Sequence, residues 1–406
     1  MRITLLGINY LPETTGIAPY TAGAAAGLAE QGHDITVVTG YPHYPQWQIA
    51  DGYTGLSRRE LVNDIKVQRL RHPVPRDGGV IGRSLMEVGF GLRAAANSWF
   101  GADVVLAVTP ALLSTALIIA RARLTRRPSV VWVQDIYTLS ASQTGAASRI
   151  AGLIGRIESA TLRHADQVVV IHDRFKAFVT SELGVDPARV RVVRNWTHLT
   201  DPGRRDEALR TRLGWAPQDV IVLHAGNMGA KQNLENVVNA SQVAARSRSR
   251  VRFVLMGDGH RRSALQAMGA NPNLQFLDPV DSAEFADTVA SADILLVNEL
   301  PGMTEMSVPS KLTSYFHSGR PVLAAVDAES VTADEIAAAA AGIRVDPEDP
   351  AALLAAAEAL SEDRQQMAQL GAAGQEYRRR VLSSQRATVE LGQALIAASS
   401  RARSGR

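Results

Sequence analysis

The chain has 406 residues, of which 46% are hydrophobic and 20% are charged. This length predicts two or three domains, each large enough to bury a core, and two are favoured; this composition excludes a disordered chain. Cysteine is absent, which excludes disulfides and thiolate metal sites and favours a reducing compartment.

Apolar β-like runs alternate with helical patterns along the chain, which is typical of parallel sheets covered by helices. Two series of strands are predicted, on either side of a polar stretch over 197–212: residues 3–6, 35–38, 67–70, 104–108, 130–133 and 168–171, then 220–224, 251–256, 274–277, 294–297, 322–326 and 343–345. We therefore expect an α/β protein with two doubly wound, Rossmann-like domains. The N-terminal run is too short for a secretory signal, and Thr109-Pro110 divides the uncharged stretch 104–120, so no membrane span is predicted.

The two halves of the chain differ in charge. Residues 1–200 carry 21 basic and 15 acidic side chains, a balance of +6, whereas the remainder carries 22 and 25, a balance of −3. The basic half is the better candidate for contact with anionic lipid or an anionic acceptor. A solvated surface with the same bias is an equally good explanation.

Several short segments of the second half lie at the ends of predicted strands or before helices. They are Gly226-Asn227-Met228-Gly229-Ala230-Lys231, Gly257-Asp258-Gly259, Glu305, Val308-Pro309-Ser310-Lys311, Ser314 and Gly319-Arg320-Pro321-Val322. Ligands of doubly wound sheets bind outside the carboxyl ends of the strands, where glycines let backbone N–H groups approach a phosphate. Only four of the 43 basic residues are lysines, and Lys231 and Lys311 both fall in these segments. The pattern predicts a phosphate-binding site.

Each of these residues also has a simpler explanation. The glycines could serve strand-to-helix turns alone, and Asp258 could cap the next helix. Asp135, which follows the strand 130–133, could likewise be a helix cap. His43 lies in a loop of aromatic residues and prolines that is either a rigid packing turn or a wall for a sugar, whereas the tryptophans are expected in the core.

Further motifs in the first half complete a family pattern. They are Asn9-Tyr10-x-Pro12-Glu13 with Gly16, Tyr41-Pro42-His43-Tyr44-Pro45, Val133-Gln134-Asp135 and Asn195-Trp196. With the glycine segments, they make the chain resemble a retaining glycosyltransferase of the GT-B fold, family GT4, and within it the branch of colanic-acid and O-antigen transferases. The resemblance implies two Rossmann-like domains that face each other across a cleft: an acceptor domain over 1–200, a donor domain over 201–378, and a C-terminal helix over 379–406 that packs back toward the first domain.

The resemblance also implies a reaction and its residues. A sugar moves from a nucleoside-diphosphate sugar to an acceptor hydroxyl with retained anomeric configuration, and the leaving diphosphate accepts the proton. The expected residues are, for catalysis, Asp135, Glu305 and Lys311; for the donor, Gly16, Gly226, Asn227, Gly229, Lys231, Gln232, Gly257, Asp258, Gly259, Pro309, Ser310 and Ser314; and for the acceptor, His43 and Tyr44.

This chain departs from the family at several donor positions. Asn227 and Gln232 stand where the family commonly has Arg and Lys, and Ser314 stands where it has a glutamate that holds the ribose. Two alternatives to the transferase are therefore kept, a nucleotide-sugar 2-epimerase and a non-catalytic scaffold subunit of the same fold.

The expected partners are a nucleotide sugar, with UDP or GDP favoured, and a carbohydrate or lipid-linked acceptor. No Asp-x-Asp triplet occurs, so no metal cofactor is required by the sequence, and no nucleic-acid motif is present. We expect a cytoplasmic protein in surface polysaccharide or glycolipid synthesis, with peripheral contact to an anionic membrane surface as a further possibility.

Overall fold

The computed structural model describes residues 1–14, 16–75, 79–139, 148–197, 199, 201–302 and 310–404. Glu305 and Pro309, two of the predicted site residues, lie outside these ranges. The chain divides into two compact units, Met1–Asn195 together with Ser384–Arg406, and Trp196–Ser383. Each unit contains one sheet with its own helices.

The first unit contains an eight-stranded sheet in its described residues. Its strands are β1 Arg2–Leu6, β2 Asp34–Gly40, β3 Ser57–Val62, β4 Ile65–Leu70, β5 Val104–Val108, β6 Ser129–Val133, β7 Gln167–Val170 and β8 Val190–Val192, in the order β3-β4-β2-β1-β5-β6-β7-β8. Its helices are α1 Ala18–Glu30, α2 Val80–Ala96, α3 Leu112–Leu124, α4 Ser148–His164 and α5 Asp173–Ser181. The strands are parallel except for the β3–β4 pair.

The burial of the strands follows their composition. The central strands β5 and β6 are apolar and buried at every residue, as expected for strands covered on both faces. The edge strand β3 has a charged sequence and a mostly exposed surface, and it was not predicted. Asn63 and Asp64 join it to β4 with φ of 48° and 63°, which is a hairpin turn between antiparallel strands.

The second unit contains a six-stranded parallel sheet in its described residues. Its strands are β9 Val220–Ala225, β10 Val251–Met256, β11 Leu274–Leu277, β12 Ile294–Asn298, β13 Val322–Ala325 and β14 Gly342–Val345, in the order β11-β10-β9-β12-β13-β14. Its helices are α6 Glu207–Arg212, α7 Leu234–Ser247, α8 Arg262–Ala267, α9 Ser282–Ser291, α10 Ser310–Ser318, α11 Val331–Ala339, α12 Pro350–Glu362 and α13 Arg364–Arg380. Apolar residues of alternate strand faces form two core clusters, one on each side of this sheet.

The last helix, α14 Ser384–Ser404, belongs to the first unit, where it packs against α1 and against β5, β6 and β7. Close contact with α1 depends on small residues, since a Cβ atom on Gly27 would lie 2.6 Å from the side chain of Thr388. The division of the chain falls at Asn195 and Ser383, a few residues from the positions expected from sequence.

Both sheets are doubly wound, as predicted. In the first, the chain proceeds from β1 outward through β2 and then restarts on the other side of β1 with β5; in the second, it restarts beside β9 with β12. At such a switch point, the loops after the two adjacent strands run in opposite directions and leave a crevice at the carboxyl edge of the sheet. The loops that follow β9 and β12 are therefore the first place to look for a ligand site.

Candidate functional site

The loop after β9 is tied to the end of β12 by one buried side chain. Asn298, the last residue of β12, donates from its amide to the carbonyls of Gln232 and Asn233, at 3.0 Å each. Its side-chain oxygen accepts from the amide of Asn236 at 2.9 Å. The loop over 226–233 is therefore held rigidly at the switch point of the second sheet.

The glycines of this loop and of the loop after β10 use their backbone N–H groups within the protein. All four donate to protein acceptors: Gly226 to the carbonyl of Met256 (2.9 Å), Gly257 to that of Leu277 (3.1 Å), Gly229 to the side-chain oxygen of Gln232 (3.0 Å) and Gly259 to the carboxylate of Asp258 (2.8 Å). The N–H groups of Gly226 and Gly257 thus continue the sheet rather than point to a ligand. A role of these residues in donor binding stays a prediction that rests on their position.

These glycines are needed because the two loops touch through their backbones. A Cβ atom on Gly257 would lie 2.0 Å from the carbonyl oxygen of Gly226, and one on Gly259 would lie 2.5 Å from that of Met228. Gly257 also has φ +134°, which other residues rarely adopt. The loops after β9 and β10 consequently form one continuous surface at the carboxyl edge of the sheet.

Lys311 places a positive charge at this surface. It lies on the first turn of α10, and a Cβ atom on Gly226 would be 3.9 Å from both its Cε and its Nζ atoms. Burial lowers the pKa of Lys311 to about 8, and the negative charge of Glu299 acts against this shift. Electrostatic attraction is stronger where water is partly excluded, so an anion gains more at this ammonium group than at an exposed lysine.

Two titratable groups that sequence reasoning missed surround Lys311. Glu299 follows β12, and its Oε1 accepts from the hydroxyl of Thr332 at 2.7 Å. Burial raises the pKa of Glu299, while the Thr332 hydrogen bond and the charge of Lys311 lower it. His224 in β9 is fully buried, and burial and the charge of Lys311 hold its pKa well below the usual range. The sequence could have indicated Glu299 as a candidate site residue, because it is an acidic residue directly after a buried apolar strand.

The other predicted donor residues are spread over the same edge. Asn227, Lys231 and Asp258 are exposed, and the carbonyl of Lys231 accepts from the backbone of Leu300. Ser310 begins α10. Ser314 is buried, and its hydroxyl lies 3.4 Å from that of Thr197 within the same unit. The Ser314 hydroxyl, which was predicted to hold a ribose, thus already has a partner within the protein.

In the first unit, one buried carboxylate joins the loops after β1 and β2. Glu13 accepts from the backbone N–H groups of His43 (2.8 Å) and Tyr44 (2.9 Å) through one oxygen and from the Asn9 amide (2.9 Å) through the other. His43 is only 3% exposed, and its Nδ1 atom lies 3.0 Å from the carbonyl oxygen of Tyr41. His43 therefore fits the packing-turn explanation better than the sugar-wall explanation.

Tyr44 remains at the surface, with 37% of its area exposed. A Cβ atom on Gly16 would lie 3.7 Å from Cε1 of Tyr44, and Gly16 has φ +64°. The structure thus brings together Gly16 and Tyr44, which the sequence had assigned to donor and acceptor. Both lie after strands of the first sheet, at its carboxyl edge.

Asp135 is half-buried and follows β6. The preceding Gln134 donates from its backbone to the hydroxyl of Thr109 (2.9 Å), and its side chain accepts from Asn195 (2.8 Å). The hydrogen bond to Thr109 holds the residue before Asp135 next to the end of β5. Asp135 and Lys311 belong to different units of the chain.

Comparisons with known proteins assign the family. Residues 15–196 match the family model described as "Glycosyl transferase 4-like domain", and residues 219–363 match that of "Glycosyl transferases group 1". WcaI of Escherichia coli K12, named for colanic acid biosynthesis as a glycosyl transferase, is 30% identical over 79% of this chain and 82% of its own. The chain belongs to the group 1 glycosyltransferases.

Further relatives agree with this assignment. This glycosyltransferase is 25% identical to a GDP-mannose-dependent alpha-mannosyltransferase of Corynebacterium glutamicum, over 73% of this chain and 66% of the other. The structure of Anabaena Alr3699/HepE in complex with UDP superposes with a TM-score of 0.71 and 15% identity, covering 98% of this chain and all of the other. The predicted GT-B fold and glycosyltransferase class are confirmed, and the epimerase and scaffold alternatives lose their support.

Two features are absent from the described residues. No group of three or more His, Asp or Glu side chains is placed to hold a metal ion in that part of the chain. None of the helices described there is both long enough and apolar enough to cross a membrane.

Close backbone contact between the glycine loops gives a prediction about stability. Gly257→Ala should lower the free energy of unfolding by at least about 2 kcal/mol, because the new methyl group meets the Gly226 carbonyl and the backbone is strained. Gly269→Ala is the matched control: its φ is +113°, but no atom lies within 4 Å of the added carbon. Urea denaturation measures both variants, and equal losses of stability would contradict the contact.

Proposed function

We propose that this glycosyltransferase binds a nucleoside-diphosphate sugar at the switch point of its second sheet, with Lys311 as the main contact to the diphosphate. One observation carries the proposal: the Lys311 ammonium group lies beside Gly226 at the end of β9, in surroundings that lower its pKa. The negative charge of a bound diphosphate would raise the pKa of Lys311 and keep this lysine protonated. The protonated ammonium group could then donate charge-assisted hydrogen bonds to the phosphate oxygens.

The proposed reaction is transfer of a hexose to an acceptor hydroxyl with retention of anomeric configuration. Lys311 would stabilise the charge that develops on the leaving diphosphate, which in turn would accept the proton of the attacking hydroxyl. Asp135 is proposed to act from the acceptor side, and Glu305 from the donor side. Gly16 completes the donor contacts. The acceptor is proposed to be a precursor of surface polysaccharide or glycolipid, as the name of the WcaI relative suggests.

The base of the nucleotide is proposed to be uracil or guanine. One structural neighbour was solved with UDP, whereas one relative is named for its dependence on GDP-mannose. Both nucleotides therefore belong in the test.

We expect either UDP or GDP to raise the melting temperature of the protein. A ligand at 100 times its dissociation constant adds about 2.7 kcal/mol to the stability of the native state. Lys311→Met should weaken nucleotide binding at least tenfold, because a hydrogen bond to a charged group contributes roughly 1.5–3 kcal/mol. Differential scanning fluorimetry and calorimetric titration measure the two effects.

Lys66→Met is the control, since it also removes one lysine charge but lies in the first unit, where Lys66 pairs with Asp34 at 3.0 Å. It should leave nucleotide binding unchanged. An unaltered dissociation constant in Lys311→Met would refute the role of this lysine, and no shift with either nucleotide would refute the donor site.

The lowered pKa of Lys311 also predicts how nucleotide binding depends on pH. Above pH 8, where the free protein has lost this proton, binding of the diphosphate must take one up, so the affinity should fall about tenfold per pH unit. Folding lowers this pKa from 10.5, so the stability of the nucleotide-free protein should rise between pH 8 and pH 10.5. Calorimetric titration from pH 7 to 9.5 tests the first effect, and the slope should vanish in Lys311→Met. A slope that survives in this variant would assign the proton to another group.

A layer of three helices in the first unit supports a second part of the proposal, peripheral binding to an anionic membrane surface. Helix α3 packs against both α2 and α4. The two glutamates of these helices, Glu87 and Glu158, are buried, and each accepts hydrogen bonds from the backbone of a neighbouring segment. The exposed charges described on this layer are consequently all basic, and they include Arg93, Arg123, Arg156 and Arg163.

The same layer exposes large apolar side chains. They are Ile81, Leu85 and Leu92 on α2, Leu124 on α3 and Leu153 on α4. Leucines among arginines can enter the interface between lipid headgroups and acyl chains while the arginines contact anionic headgroups. Arg121 is not available for such contacts, because it lies over the Trp99 ring at 4.1 Å and donates to carbonyls at the end of α2.

We expect the protein to sediment with vesicles that contain phosphatidylglycerol, and less with vesicles of phosphatidylcholine alone. Leu85→Glu combined with Leu124→Glu should weaken vesicle binding at least tenfold, because insertion of one leucine contributes about 1.5–3 kcal/mol. Leu61→Glu is the control, since the exposure of Leu61 (71%) lies between those of Leu85 (60%) and Leu124 (85%) but Leu61 lies on the edge strand β3. Equal binding to both kinds of vesicle, or an equal effect of Leu61→Glu, would contradict this part of the proposal.

A further inference from the structure

Two aromatic rings and one guanidinium group form a cluster at the surface of the first unit. The rings of Tyr44 and Trp47 stand nearly perpendicular, at 89° with 5.7 Å between centroids. The guanidinium carbon of Arg83, on α2, lies 5.0 Å from the centroid of the Trp47 ring. Trp47 is half-buried, and Tyr44 and Arg83 are exposed. We call these three residues the aromatic platform.

The loop that carries the platform is anchored by buried groups. Glu13 holds the backbone of His43 and Tyr44, as described above. The His43 ring lies 4.7 Å from the ring of His72, which in turn packs edge-on against Phe90. The loop is therefore anchored to the interior of the first unit, and Tyr44 and Trp47 are held in position without a ligand.

The backbone of Trp47 is in a conformation that its side chain disfavours. Its φ is +54°, in the left-handed region where a bulky residue is a clear outlier. Such a conformation costs of order 1–3 kcal/mol and persists only where the surroundings impose it, most often at functional sites. Here it places an aromatic ring at the surface, whereas the sequence had predicted the tryptophans to be in the core.

We propose that the aromatic platform recognises the acceptor, and that the acceptor is a sugar with an anionic group, either a phosphate or a carboxylate. Aromatic rings bind the apolar faces of pyranose rings. A guanidinium group stacked on a ring keeps its N–H fork available for a bidentate contact to an acid. Burial raises the pKa of the Glu87 carboxyl on the same helix, and the charge of Arg83 acts to lower it. The Glu87 oxygens, however, accept their hydrogen bonds from the Leu113 backbone and the Tyr137 hydroxyl. This inference rests on the proposed transferase function, for which it names the class of acceptor.

The test is a binding titration of the full-length protein by ligand-observed NMR. The probes are methyl glycosides, 1-phosphates and uronic acids of glucose, galactose and mannose, which separate the phosphate and carboxylate sources of charge. At least one anionic sugar should bind 10-fold or more tightly than its neutral counterpart. Arg83→Ala should remove that difference, and Arg83→Lys should restore part of it.

Trp47→Gly should weaken the binding of anionic and neutral sugars alike, and it should not destabilise the protein through its backbone, because glycine tolerates the positive φ. Arg59→Ala is the matched control, since Arg59 lies 5.5 Å over the Phe100 ring outside the platform and its loss should change nothing. Equal or absent binding of anionic and neutral sugars to the unmodified protein would overturn the proposal, as would an equal effect of Arg59→Ala.

Nucleotide binding separates this inference from the proposed function. Arg83→Ala should bind UDP or GDP as the unmodified protein does. Sugar binding without nucleotide binding would refute the donor site and leave the platform standing, whereas nucleotide binding without selective sugar binding would refute the platform alone.

Discussion

The half-buried ammonium group of Lys311 is the feature on which the proposed donor site depends. A lysine that has lost part of its hydration is unfavourable unless an anion lies near it, and in the protein itself that anion is Glu299, whose own charge is weakened by burial. This charge lies at the switch point of the sheet, beside the loop that Asn298 holds and beside the contact between Gly226 and Gly257. A diphosphate would supply the negative charge that the resting site provides only in part.

The first unit also has a charged side chain beneath the loops at the carboxyl edge of its sheet, but there the charge is negative. There the buried group is the carboxylate of Glu13, which is 5% exposed and is fully used in holding the loop of His43 and Tyr44. In the first unit a buried carboxylate holds the loops at the carboxyl edge of the sheet, whereas in the second unit the amide of Asn298 holds them and Lys311 supplies the charge beside them.

Sequence patterns predicted the doubly wound fold well because buried parallel strands are continuous apolar runs, such as residues 104–108 and 251–256. They missed two strands: β8, which has only three residues, and β3, whose charged sequence lacks that signal and whose only mark is the Asn63-Asp64 turn. At the site, the positions of Gly226, Gly257 and Lys311 could be predicted, but the partners of the glycine N–H groups could not, because they depend on how two loops pack. The same limit explains His43 and Trp47: an aromatic loop gives no sign of which ring is buried and which is exposed.

The most direct test is a crystal structure of the protein with UDP or GDP bound. We predict that a phosphate oxygen lies within hydrogen-bonding distance of the Lys311 Nζ atom, about 2.7–3.2 Å, at the end of β9. A nucleotide bound at this edge with its diphosphate directed away from Lys311, or a nucleotide bound elsewhere in the chain, would show that the half-buried ammonium group serves the fold and not the donor.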